Sequence, residues 1–571
     1  MAGLSTCYMT CMYGRLAAFG LVAAACCSKG EVKDGGSGAE APVPTKPTFT
    51  LFALAEMRGQ IGPCGCTSDP LGDISRTTKL IADARAAGPV LVVDAGSLLY
   101  SENPVPPHLE AQEELKADLL SSVYQKDLKV GAVGLGPADL ATGAKGERFA
   151  RYVTNLGNPD YATLPPSITQ VGDAKVGVFG VIANDATPLK TSDPVEAGKR
   201  AVTQLRKDGA QVVVGLVQAS NKKDAVKLVR DIGGIDIAVA GLGLAAPEPN
   251  EVEVEATKVG DGWLVIPGNR GQVVSRLDVT LRGAASPLVD AVGAGAATAK
   301  VAQLTRRIAA LDADLAKFAT DKDADPKFIA ARQAERAQLV ADRDRLKARP
   351  FTPPPRGSFF TLDQIRINKK LACSTPVQDA VSAYNLAAGE ANVKAAAARP
   401  VPPVAKGQAR YVGTEACVDC HSEETDFWKK TVHAGAWKTL VDRGQQFDFS
   451  CIGCHVTGWE KPGGSNLAHN ENLRDVQCET CHGPGSIHVA KGGEESPPAV
   501  RRNPPQDLCA TQCHTKEHSD TFQYEAYLRD IVGPGHGGDL RKKLGDGPTG
   551  HELRKAALDK AGRTLGSGCI R

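Results

Sequence analysis

The first 420 residues of this 571-residue chain contain a single histidine, His108; the other ten lie between His421 and His551. A histidine-built metal centre is therefore excluded from the larger, N-terminal part. Net charge is nearly absent too. The formal charge is +2 and no basic cluster is interleaved with aromatics, so no nucleic-acid partner is expected. Long apolar runs are also missing. LAAFGLVAAA, from Leu16 to Ala25, has ten residues, about half of what a membrane-spanning helix needs. No later segment is long and apolar enough, so no transmembrane helix is expected in the mature chain.

At 42% hydrophobic and 23% charged residues, the chain has the composition of a soluble protein too long for one ordinary domain. Arg15, the short apolar run and the small residues Ala23 to Ala25 before Cys26 form an export signal. This stretch resembles a bacterial lipobox, in which Cys26 becomes the lipidated first residue. The expectation is a signal over 1–26, a flexible polar tether over 27–47 and an exported protein on the periplasmic or cell-surface side, held to a membrane by its lipid.

Sixteen cysteines in an exported protein would ordinarily suggest disulfides, but their placement argues otherwise. Four fall in the signal region, Cys64 and Cys66 form an isolated C-x-C, Cys373 and Cys569 stand alone, and eight crowd between 417 and 513.

From 48 to about 290, apolar runs such as PVLVVDAG, KVGVFGVI and AQVVVGLVQ alternate with helical stretches. Continuous apolar strands are expected where both faces of a sheet are covered, so this is an α/β layered domain. Leu304, Ile308, Leu311, Leu315 and Phe318 recur at helical spacing, TDKDADP interrupts, and Phe328, Ala331, Leu339 and Leu346 resume; a helical hairpin over 297–349 follows. The domain is expected to run over 48–396, with a stiff Pro-rich linker over 397–410, a mainly α domain rich in cysteine and histidine over 411–540 and a basic tail over 541–571.

Haem c is attached when two thiols add to its vinyl groups while an imidazole takes the iron from the same side. Cysteines at i and i+3 with histidine at i+4 put all three on one helical turn. Such sets occur at Cys417, Cys420 and His421; at Cys451, Cys454 and His455; and at Cys478, Cys481 and His482. In the fourth, Cys509, Cys513 and His514, the thiols are one residue further apart yet share a helical face. A C-x-x-C pair can also be half of a zinc site, but zinc does not require a histidine behind the second cysteine every time. Four haems c are expected.

The runs YVGTEACVDCHSEETDFWKKTVHAGAWKTLV, CIGCHVTGW, VQCETCHGPGSIHVA and CHTKEHSDTFQYEAY resemble the tetrahaem cytochrome c family of the hydroxylamine-oxidation relay in nitrifying bacteria. That resemblance implies electron relay, with redox proteins as partners, three irons each held by two histidines and one five-coordinate iron. His433 and His488 match distal ligands carried on the first and third motif segments, and His536 is chosen as the third, with His518 and His551 as alternatives. The iron on His455 is then the open one. Residues 411–540 carry a net charge of about −8 and residues 541–571 about +5. The tail is expected to be solvated and disordered, the alternatives being a fold over the haem propionates or a basic patch for a partner.

The first domain resembles the metallophosphatase domain of periplasmic 5'-nucleotidases, whose two-metal chemistry needs a full set of His, Asp and Asn ligands. Here the matching positions carry Glu56 and Arg58, Ser97, Pro137 and Ala138, Gln218, Leu242 and Leu244. The resemblance implies the fold without the metals. Cys64 and Cys66 follow the first strand and resemble the Pro-Cys-Gly-Cys loop of some nucleotidase-like proteins, which implies redox thiols, the alternatives being a structural disulfide or two inert thiols. His108, in a Pro-rich loop, is expected at the surface.

The leading reading is an electron carrier rather than an enzyme. Two alternatives differ in class: a haem enzyme acting on a small nitrogen or sulfur species at a five-coordinate iron, and a residual phosphohydrolase or nucleotide-binding module.

Overall fold

The computed structural model describes residues 46–561, apart from 64–66, 147, 159, 244–251, 284–286, 319–324, 349–350, 352, 495–496, 516–517 and 537. Two six-stranded sheets build the α/β half. The first runs in the order Val289–Asp290, Phe359–Arg366, Val273–Thr280, Phe49–Leu54, Val90–Asp94, Ala132–Val133. The second runs Thr257–Val259, Gly262–Val265, Ile237–Gly241, Val212–Gln218, Ala174–Ile182, Ser167–Val171.

Alternation along each strand explains why the runs are apolar throughout. Leu51 and Ala53 face the second sheet and pack with Val178, Val214 and Val239. Phe52 and Leu54 face outward onto helices α1 (Ile74–Ala87) and α2 (Glu110–Lys126). On the far side, α3 (Pro194–Lys207) and α4 (Lys222–Ile232) cover the second sheet with Ala201, Leu205, Leu228 and Ile232. The result is a four-layer α/β/β/α stack. Side-chain oxygens of Asp73, Asp193 and Asn221 accept from the first backbone N–H groups of α1, α3 and α4 and fix where those helices begin.

Helices α5 (Ala294–Phe318) and α6 (Pro326–Ala348) form the expected hairpin, closed by Leu304, Ile308, Leu311 and Leu339, with Phe318 edge-on to Phe328 at 5.3 Å. Helix α7 (Thr375–Ala397) belongs to both halves. Val377 packs with the helix face of the first sheet, while Ala396 packs with Ile452, Val456 and Leu467 of the cysteine-rich half. Asn392 is fully buried between them, and its Nδ2 donates to Gln112 Oε1 at 2.6 Å and to the Phe447 carbonyl at 2.9 Å. The Pro-rich stretch after α7 lies against residues 463–466, where Gly463 N donates to Pro402 O and Asn466 Nδ2 to Arg399 O.

The cysteine-rich half is made of short helices and has a small apolar core of its own. Polar side chains hold its loops: the Glu479 carboxylate accepts from the backbone of Val412, Gly413 and Gly485. Two expectations are corrected here. The basic tail is not solvated throughout, since Gly550–Ala561 is a helix that packs on Tyr524–Ile531. Its Arg554 bridges Asp520 at 3.0 Å and donates to the Thr67 carbonyl. One cation thus satisfies acceptors from both halves. Cys373 does not stand alone either, because it is disulfide-bonded. The eight motif cysteines are free and none of them is its partner.

Candidate haem-binding site

Each cysteine pair sits on a tight turn. Cys478–His482 is one turn of α-helix, and His421 N and His514 N donate to the carbonyls of Cys417 and Cys509 at 2.9 and 2.8 Å. The turns pack by twos. The thiols of Cys417 and Cys478 perturb one another, as do those of Cys454 and Cys513, so that the first and third motifs are neighbours and the second and fourth are neighbours. Within each pair that closeness lowers the pKa of one thiol, Cys478 and Cys454, and raises the other. Burial raises Cys481 to about 11. Among the described residues no three His, Cys, Asp or Glu side chains converge as a zinc site requires.

The histidines pair across segments rather than along them. His488, on the third segment, faces His421 of the first with ring centroids 6.5 Å apart and planes 33° apart. His433, on the first segment, faces His514 of the fourth at 6.3 Å and 39°. A first-row metal sits about 2 Å from each imidazole nitrogen, and the ring centre lies roughly 1 Å further, so an iron between two imidazoles needs about 6 Å between centroids. Both pairs fit that spacing, and haem fits the donor set. His536 is close enough to His482 to feel its charge. His455 faces no second imidazole among the described ring contacts.

The other ring nitrogen of each motif histidine is engaged, which fixes its orientation and leaves Nε2 for a metal. His455 Nδ1 lies 2.6 Å from Ala436 O, His482 Nδ1 2.7 Å from Arg501 O, His514 Nδ1 3.1 Å from Ser519 Oγ and His421 Nδ1 3.4 Å from Glu424. Burial lowers the pKa of His433, His455 and His536, and that of His514 to about 4, keeping these imidazoles in the neutral form that ligates iron. His518 donates or accepts at Thr515, and His551 starts the C-terminal helix beside Asp530.

A cavity of about 1560 Å³ runs beside the second and fourth motifs and is walled on its other side by the α/β half. No sequence signal announces this arrangement, because the walls come from segments several hundred residues apart.

The residues singled out at the strand ends of the α/β half converge. The ends of Phe49–Leu54 and Val90–Asp94 are paired side by side, as are those of Val212–Gln218 and Ile237–Gly241, which brings Glu56, Ser97 and Gln218 together. Glu56, Arg58, Ser97 and Arg270 all have left-handed backbones, with φ of 53°, 48°, 58° and 50°. Such conformations persist only where surroundings enforce them. Arg58 Nε lies 3.0 Å from Glu56 Oε2, Arg58 Nη2 donates to Gly243 O at 2.8 Å, and Gly243 N donates to Glu56 Oε1 at 3.2 Å. Gln218 Nε2 donates to Ala95 O at 3.0 Å. A guanidinium is paired with a buried carboxylate here, and desolvation raises the pKa of Glu56 against the opposing charge of Arg58. Ala138 and Leu242 offer no donor, and Leu244, like Cys26, Cys64 and Cys66, lies outside the described residues. His108 is exposed as expected and sits edge-on to Phe449 at 5.4 Å.

The family model described as cytochrome c554 and c-prime matches residues 416–483. Cytochrome c-554 of Nitrosomonas europaea is 30% identical over 119 residues, covering 18% of this chain and 51% of the relative. The chain thus spans about half the length of the curated relative it matches. Among solved structures, a 5'-nucleotidase precursor from Thermus thermophilus is 17% identical over 70% of this chain and 68% of its own, with a TM-score of 0.39. The calcineurin-like phosphoesterase YfkN from Bacillus subtilis is 20% identical over 41% of this chain and 86% of its own, with a TM-score of 0.31. The C-terminal region is cytochrome c554-like, haem c is the cofactor that likeness implies, and the structural neighbours of the α/β region are nucleotidases and phosphoesterases.

Proposed function

We propose that this chain is an exported, lipid-anchored electron carrier with four haems c, fused to an α/β half that does not hydrolyse phosphate esters. The observation that carries the reading is the crosswise pairing of imidazoles at the spacing an iron requires. The thiols of 417/420, 451/454, 478/481 and 509/513 attach the haems, and His421, His455, His482 and His514 bind the irons from the motif side. His488, His433 and His536 close the irons on His421, His514 and His482. When bound, the haems exchange single electrons with one another and with redox partner proteins. The chain's own part is to hold imidazoles neutral and oriented, and to pack the motifs in neighbouring pairs, which keeps successive irons close.

Non-catalysis in the α/β half is supported by the Glu56–Arg58 pair in the relic metal site, since one carboxylate already tied to a guanidinium cannot hold two divalent cations. Cys26 is the anchor, preceded by a removable signal, and the mature chain faces the periplasm or cell surface. Among the described residues no helix is long and apolar enough to cross a membrane. Cys64 and Cys66 remain the candidate redox thiols.

A second reading, a haem enzyme acting on a small nitrogen or sulfur species, is favoured by His455, which faces no second imidazole among the described ring contacts and lines the cavity. Spin-state spectroscopy on protein matured with haem c tests the assignment: three low-spin irons and one high-spin iron are expected, and four of either kind would overturn it. Phosphate release from a nucleotide with added manganese would revive a hydrolase, and none is expected.

A further inference from the structure

The three residues that lead into the second motif are each gripped by the α/β half. The Phe447 carbonyl accepts from Asn392 of α7, Asp448 Oδ1 accepts from Gln112 Nε2 of α2 at 3.1 Å, and Phe449 meets the His108 ring. Gln112 and Lys116 are four residues apart and share a face of α2. That face looks toward the second motif, and Lys116 lines the same cavity as Cys451, Cys454 and His455. Arg58 lines it too. A Cβ placed on Gly59 would come within 3.3 Å of the Lys116 side chain, so the Arg58 loop and Lys116 are packed together.

Both cations are buried, at 8% exposure each, and both keep N–H groups to spare. Arg58 uses Nε on Glu56 and Nη2 on Gly243 O, and Lys116 pairs with Glu113. An anion entering the cavity would accept from these remaining N–H groups in charge-assisted hydrogen bonds.

We propose that the α/β half forms the outer wall of the second haem's open side and that Arg58 and Lys116 there bind a small inorganic oxyanion. The inference rests on the open site at His455 and adds what covers it. The relic metal site has thereby kept its place at the sheet ends and changed its ligand from cations to an anion.

The test uses the full chain with its haems, titrated with sodium nitrite while the high-spin absorption is followed. Two paired variants keep buried charges balanced: Glu56→Gln with Arg58→Gln, and Glu113→Gln with Lys116→Met. The low-spin bands of the other haems report folding. Saturable nitrite binding is expected in the wild type and weakening of at least about tenfold in each variant, the loss of one charge-assisted hydrogen bond. Carbon monoxide, which is uncharged, is expected to bind the reduced protein unchanged, and Lys199→Gln, on the surface of α3, to leave nitrite affinity as it was. Equal nitrite affinity in wild type and both variants overturns the inference, and so does parallel loss of nitrite and carbon monoxide binding. Absence of any high-spin iron in the wild type removes the open site itself, and the inference with it.

Discussion

The two halves of this molecule are organised in opposite ways. In the α/β half regular backbone dominates, with strand ends paired in register and left-handed residues at Glu56, Arg58, Ser97 and Arg270 around a buried ion pair. In the cysteine-rich half there is little regular backbone, yet the imidazoles stand in facing pairs. A fold is held by hundreds of weak contacts, so a handful of substitutions at its rim leaves it standing. Metal chemistry depends on a few donors at fixed spacing and does not survive their exchange.

The largest expected effect is on the donors that remain. Replacing His488 by Ala should convert one low-spin iron to high-spin, visible by electron paramagnetic resonance, while His469→Ala, in a segment facing none of these rings, should leave the spectrum unchanged. A smaller effect is expected at the relic site. Arg58→Met alone strands a buried carboxylate and should lower stability by about 3 kcal/mol in denaturant unfolding. Adding Glu56→Gln to it should restore most of the loss, because no uncompensated charge then remains.

The smallest effect, taken per pH unit, distinguishes the buried carboxylates. Complete burial raises the pKa of Asp94 to about 7, and its oxygens accept from Gly96 N and Tyr124 Oη at 2.7 Å each. Above the unfolded value of 3.8 the unfolded chain has lost this proton, whereas the folded chain keeps it up to about pH 7. The contribution is complete below pH 3.8 and declines as pH rises toward 7, with a slope approaching about 1.4 kcal/mol per pH unit. Asp94→Asn should flatten that slope in unfolding measured at stepped pH.

Local signals in the sequence were reliable where the cause was local. The hairpin α5–α6 follows from helical spacing and its breaker, and the four Cys/His sets follow from one turn of chain. The continuous apolar strands implied covered sheets, though not that two sheets face each other. Long-range facts were not legible. Nothing near His488 says that it reaches His421 rather than His482, because the partner is set by how the segments cross. Helix α7 reads as an ordinary amphipathic stretch before a linker, yet Asn392 ties it to Gln112 and Phe447. The tail charge of about +5 reads as a solvated segment, yet the C-terminal helix docks, with Arg554 on Asp520 and the His551 N–H donating to Asp530.

The central claim is that porphyrin iron is covalently held at four places in the C-terminal region. A pyridine haemochrome assay combined with intact mass, on protein matured in a host able to attach haem c, measures this directly. Four haem adducts per chain are predicted; a colourless product, or zinc in place of iron, would contradict the account.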